Sequence, residues 1–145
     1  MLSEIEKIIC LRKVPLFENL TEEELFALSR ISFEKDFKPQ ETIIKEGESG
    51  HELYIIVSGQ VNIIKGTGKV LLAKLGPFNC LGEMSVFDNQ PHSATAIASQ
   101  NTKILILPEE AVRDVVLEFP EIGLQIIKVM SSRLRNADEE IKKRS

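Results

Sequence analysis

The chain is poor in the residues that build metal centres and disulfide frameworks. It has two cysteines, Cys10 and Cys80, and two histidines, His51 and His92, in 145 residues. Neither pair has metal-ligand spacing, and two histidines far apart in sequence leave little material for a metal site. Two thiols without a partner pattern read as free cysteines of a reduced, cytoplasmic protein. No apolar run approaches the ~18 residues that a membrane span requires. The first residues, MLSEIEKIICLRKV, carry glutamates where a secretion signal has lysines and lack a small-residue cleavage site, so no targeting segment is read. A net charge of -4 argues against a surface that coats nucleic acid. The nucleophile elbow, the Walker loop and the dinucleotide fingerprint are all missing, which disfavours an enzyme and leaves no catalytic residue to name.

What is present is a soluble, globular composition, 43% hydrophobic and 28% charged, of single-domain length. Leu2 to Lys13 has near-helical apolar spacing and ends before Pro15. Thr21 with Glu24 makes a capping box, and Leu20 with Leu25 a hydrophobic staple, so Glu22 to about Ile31 is predicted helical. From Ser32 the period changes to two. Strands are predicted at Ser32–Phe37, Thr42–Lys45, Leu53–Val57, Gln60–Lys65, Val70–Leu75, Ser93–Ala98 and Thr102–Leu107, punctuated by glycines. Pro108, near the first position of a helix, starts an element running to about Phe119. Pro120 opens a last helix with an apolar stripe of Ile126, Met130, Leu134, Ala137 and Ile141. The expectation is an antiparallel roll or sandwich at 32–107, between N-terminal helices at 1–31 and C-terminal helices at 108–145, in one domain.

The stretch Gly82–Thr95, GEMSVFDNQPHSAT, carries the chemistry. Gly82 permits close backbone approach or an unusual dihedral. Glu83 to Phe87 can form one helical turn, whose free N–H groups suit an anion. Glu83 is an acceptor-only carboxylate, suited to sugar hydroxyls, and Ser93 adds a hydroxyl donor. Together these read as a sugar-phosphate cradle. Met84 and Val86 read most simply as core, Thr95 as an ordinary strand hydroxyl, and His51 as an exposed turn residue.

This stretch resembles the phosphate-binding cassette of cyclic nucleotide-binding domains, the β-roll modules of catabolite activator proteins, protein kinase A regulatory subunits and cyclic nucleotide-gated channels. The family cassette reads roughly G-E-L-A-L, a variable stretch, then P-R-A-A-T; here it is G-E-M-S-V, F-D-N-Q, P-H-S-A-T. Three other segments resemble the family in the same order: PLF with LTEEEL, EG with LYIIVSG, and the closing helices. LGPFNC departs from the usual L-G-P-G-D-F, with Asn79 able to supply a left-handed turn residue. His51 stands where the family commonly has aspartate.

The resemblance implies a jelly-roll fold and a regulatory domain for cAMP or cGMP, with no cofactor beyond that ligand. It implies Glu83 on the ribose hydroxyl, backbone donors from Gly82, Met84 and Ser85, and Ser93 near phosphate or base. His92 takes the place of the arginine that pairs with phosphate. An arginine offers fixed charge and a fork of donors, whereas an imidazole offers two donors at most and is charged only below about pH 6.5. Affinity is therefore expected to be weakened unless another cation substitutes, with Lys69 and Lys74 as candidates. A homodimer through the C-terminal helix and an effector protein are the macromolecular partners implied, with no direct contact to nucleic acid or membrane. The transcription factors of this family add a helix-turn-helix domain, which is not seen here, so the sensor acts through a partner or the chain is a fragment. The competing reading is a degenerate fold kept for protein interaction or dimerisation, without a small ligand.

Overall fold

The computed structural model describes residues 1–144, so the last residue of the expected domain, Ser145, lies outside the described residues. Helix α1 (Glu4–Lys13) begins at a capping box: Ser3 Oγ accepts from the Glu6 N–H and Glu6 accepts from the Ser3 N–H. A single 3-10 turn, Pro15–Phe17, leads to α2 (Glu22–Ile31), which the Thr21–Glu24 capping box starts as expected. There follow β1 (Phe33–Phe37), β2 (Thr42–Ile44), β3 (Glu52–Ser58), β4 (Val61–Lys65), β5 (Val70–Leu75) and β6 (Cys80–Leu81). The cassette helix α3 (Glu83–Asp88) precedes β7 (Thr95–Ala98), β8 (Thr102–Pro108), α4 (Glu109–Glu118) and α5 (Pro120–Arg144).

The strands form two four-stranded antiparallel sheets, β1-β8-β3-β6 and β2-β7-β4-β5. This is the expected β-roll with flanking helices. The central strands of the first sheet, β8 and β3, are buried on both faces. On β8, Leu105 and Leu107 pack against the helices while Ile104 and Ile106 pack against the second sheet, the two-residue alternation of a strand. On β3, Leu53 and Ile55 face the helices and Ile56 faces the second sheet, with a register shift between Ile56 and Ser58. Full burial of each such side chain contributes about 1.5–3 kcal/mol. The helical core adds Leu11, Leu16, Phe17, Leu25, Leu28 and Ile122, all essentially inaccessible.

Several local expectations are corrected. Cys80–Leu81 is a short strand paired with Tyr54 and Ile55, not merely a lead-in. Two residues are too few for a period to be read. The left-handed residue before it is Phe78, with φ 72°, rather than Asn79. Asn79 Oδ1 instead accepts from the Gly76 N–H at 2.9 Å, and the ammonium of Lys13 stands 5.1 Å over the Phe78 ring. Pro108 ends β8 and caps α4 from outside instead of standing within it. On α5, Ile126 is buried and Met130 half-buried, but Leu134, Ala137 and Ile141 are exposed. The stripe therefore packs on its own domain only in its first half. No helix among the described residues is long and apolar enough to cross a membrane.

Candidate functional site

Gly82 stops β6 and caps α3 in the left-handed region, at φ 79°. A Cβ there would stand 2.9 Å from the Glu52 carbonyl oxygen, so both conformation and space require glycine. Its carbonyl accepts the Val86 N–H at 3.1 Å, which closes the first turn of α3. Asn89, also left-handed at φ 58°, ends the helix through its N–H to the Ser85 carbonyl. A six-residue helix is thus fixed at both ends by backbone geometry.

Two side chains of α3 turn inward. Glu83 is only 20% exposed, and its Oε1 lies 3.8 Å from a guanidinium nitrogen of Arg133 on α5. Burial raises its pKa above the ordinary carboxylate value; a hydrogen bond from its own main chain and the Arg133 charge oppose this. Ser85 is buried, and its hydroxyl lies 3.2 Å from His92 Nδ1.

His92 is held from the other side by the turn between β2 and β3. Its N–H donates to the Glu48 carbonyl and its carbonyl accepts the Gly47 N–H, both at 2.9 Å. A Cβ on Gly50 would stand 2.5 Å from Ser85 Cβ and 2.6 Å from His92 Cε1. Burial lowers the pKa of His92; Glu48 opposes this and His51 adds to it. The two histidines, read as far apart, therefore lie close enough to sense each other's charge. His51 is 75% exposed, as expected, with Nδ1 3.7 Å from a Glu109 carboxylate oxygen.

These groups border a hollow of about 210 Å³, whose apolar wall includes Ile44, Ile63, Leu75 and Ala96. All six residues expected at the site, Gly82, Glu83, Met84, Ser85, His92 and Ser93, border it. Two other expectations change. Met84 is 65% exposed and is not core, whereas Val86 is buried as anticipated. Thr95 is the strand hydroxyl expected: it begins β7, and its Oγ1 accepts from the Glu46 N–H at 3.0 Å. Lys69 and Lys74 do not border the hollow: Lys69 is in the hairpin turn and Lys74 sits opposite Asn62 in the β4–β5 ladder. The cation beside the cassette is Arg133, fifty positions from Glu83 in the chain and without a local sequence signal. Cys80 also borders the hollow; burial pushes its thiol pKa well up, so it stays protonated. No group of three or more His, Cys, Asp or Glu residues among the described residues could hold a metal ion.

A second and larger concavity, about 880 Å³, lies on the other side of α3 among α4 and α5. Its lining is mainly apolar, including Val86, Phe87, Val112 and Ile126, with Asp88, Arg113 and Ser131 as its polar members. It has size but few converging polar groups, so it is not the site the sequence points to.

Comparison with known proteins agrees with this fold. Over 134 residues the chain is 30% identical to the CRP-like cAMP-activated global transcriptional regulator of Mycobacterium tuberculosis, covering 90% of this chain and 60% of that protein. The N-terminal domain of a transcriptional regulator from Streptomyces coelicolor superposes with a TM-score of 0.81 at 28% identity, covering 91% of this chain and 94% of that one. The regulatory domain of Toxoplasma gondii PKA, crystallised with cAMP, gives 0.73 at 26% identity, covering 77% of this chain and 44% of that one. The chain thus spans about 60% of the length of its bacterial relative. The cyclic nucleotide-binding domain family matches residues 34–119, nearly all of both sheets and the whole cassette, and the chain belongs to that family.

Proposed function

We propose that the chain is a regulatory domain that binds a cyclic nucleotide, cAMP or cGMP, in the hollow beside α3. The observation that carries this reading is the convergence of Glu83, Ser85, His92 and Ser93 on one cavity. Glu83 accepts from the ribose 2′-hydroxyl, its deprotonated form being the one suited to the task. Backbone N–H groups of Gly82, Met84 and Ser85, with the Ser93 hydroxyl and His92, face the cyclic phosphate. At about 210 Å³ the hollow is smaller than the ~300–1,000 Å³ of most small-molecule sites, so the base extends past the rim toward α5.

Glu83 gives occupancy a route outward. Its partner Arg133 sits on the long C-terminal helix, so a ribose hydroxyl that takes up the carboxylate weakens a tie to α5. Beyond Met130 this helix exposes Leu134 and Ile141, seven residues apart and in line with exposed Ile127. That spacing favours a homodimer through α5, with or without an effector protein. Affinity is weakened relative to a cassette with arginine, because no lysine or arginine among the described residues borders the hollow. No catalytic step or cofactor is assigned.

Thermal melts with and without millimolar cAMP or cGMP test this function. Ligand at ~100 times its dissociation constant adds about 2.7 kcal/mol of stability. An unchanged melt with both nucleotides rejects it. A specific observation favours the second reading, an interaction module, in that event: the exposed α5 stripe does not depend on the hollow. Sedimentation of Leu134→Asp against the parent chain tests that stripe, with conversion to monomer expected.

A further inference from the structure

Arginine serves an anion with permanent charge and a fork of donors at once, whereas His92 offers charge only when protonated. We propose that Ser85 and His92 act as one proton-operated unit in place of the guanidinium, Ser85 being the positioning and donor partner. This rests on the cyclic nucleotide reading above and concerns how the same site is regulated.

The geometry is specific. Ser85 Oγ and His92 Nδ1 are 3.2 Å apart, and both residues border the hollow. A neutral imidazole meets the hydroxyl in either sense: Nδ1 accepts the Ser85 O–H, or Nδ1–H donates to Ser85 Oγ. The imidazolium can only donate. A proton taken from solvent by His92 therefore fixes Nδ1–H toward Ser85 Oγ and leaves the Ser85 O–H free to turn into the hollow. One positive charge and one hydroxyl donor reach the anion together. Gly50 leaves room for the pair, because a Cβ there would stand 2.5 Å from Ser85 Cβ and 2.6 Å from His92 Cε1.

The surroundings keep the unit off until an anion arrives. Burial disfavours the imidazolium, and His51 on the same turn adds to this while Glu48 opposes it. His51 itself faces Glu109 of α4, which also pairs with Arg113. On α3, Glu83 is tied to Arg133 of α5, and Asp88 accepts from the Gln90 N–H. An anion in the hollow favours the imidazolium, so binding takes up a proton. Affinity then falls up to about tenfold per pH unit, from the free-state pKa of His92 to its bound-state value.

Calorimetric titration of the whole chain with cAMP and with cGMP, at pH 6 and pH 8 in buffers of differing ionisation enthalpy, tests the unit. The expected result is uptake approaching one proton and an affinity at least tenfold tighter at pH 6. Ser85→Ala keeps the Cβ against Gly50 and is expected to lose most of that pH 6 advantage. His92→Arg is expected to bind more tightly, with no proton uptake and no pH dependence. Equal affinities without proton uptake overturn the proposal but leave cyclic nucleotide binding standing. A Ser85→Ala protein with the parent's pH ratio removes Ser85 from the unit and overturns the proposal as well. Absence of binding by both the parent chain and His92→Arg at either pH overturns the function and this inference together.

Discussion

The two concavities share α3 and almost nothing else. The hollow of about 210 Å³ holds a largely buried carboxylate, a buried hydroxyl and an imidazole, whereas the groove of about 880 Å³ is lined mainly by apolar side chains, with Asp88, Arg113 and Ser131 among them. Met84 alone borders both. Volume therefore favours one side of the helix and the placement of polar groups the other. A few convergent polar groups on an apolar wall define a ligand site, because each buried polar group must find a partner or carry a desolvation cost. The groove has no such debt to settle, and its exposed Phe87 and Leu117 are surface that burial against another chain would stabilise.

The contrast can be broken most sharply at Glu83. Glu83→Ala is expected to weaken cyclic nucleotide binding by about 1.5–3 kcal/mol, the usual worth of a hydrogen bond to a charged group. Its melting temperature without ligand should hold or rise at neutral pH, since burial disfavours the charge being removed. A variant that binds as the parent does would place the ribose elsewhere. Gly50→Ala comes next. Its Cβ would press on Ser85 and His92 at 2.5–2.6 Å, and urea unfolding is expected to register a loss of about 1–3 kcal/mol. An undiminished midpoint would mean that the wall of the hollow is loose.

The pH dependence of the ligand-free fold is a smaller effect. The pKa of His92 in the fold lies below its ordinary 6.5, so the unfolded chain binds the proton more readily. The stability this group contributes is complete above the unfolded value and is lost as pH falls through the folded one. Acidification from pH 8 is thus expected to lower the ligand-free melting temperature, and the loss attributable to His92 should vanish in His92→Gln. The smallest effect belongs to the groove. Phe87→Ser, at a half-exposed position, is expected to change stability by no more than about 0.5 kcal/mol and to leave nucleotide affinity unaltered. A large loss of affinity in that variant would erase the distinction between the two sides of α3.

Much of this arrangement was legible in the sequence, for physical reasons. The Thr21–Glu24 capping box is a local device, and it starts α2 where the residues say. The apolar run from Leu53 to Val57 belongs to a strand buried on both faces, which needs no knowledge of distant partners. Gly82 announces a positive φ, and Glu83 follows it at the first position of α3. What stayed hidden depends on tertiary approach. Arg133 reaches Glu83 only because α5 folds back over the cassette. His51 and His92 are brought into each other's electrostatic range by a backbone pairing between the 47–49 turn and the 91–92 segment, with Ser49 bridged to Pro91. Met84 was misread because an apolar side chain on a six-residue helix has no period from which its face can be told.

The central claim is that Glu83 receives a ribose hydroxyl inside the hollow. A matched pair of calorimetric titrations tests it most directly, using the tighter-binding of cAMP and cGMP and its 2′-deoxy counterpart. The account predicts that the parent nucleotide binds, that loss of the 2′-hydroxyl weakens binding by about tenfold or more, and that Glu83→Ala abolishes the difference. Equal affinities for the two nucleotides, or no binding of either, would contradict it.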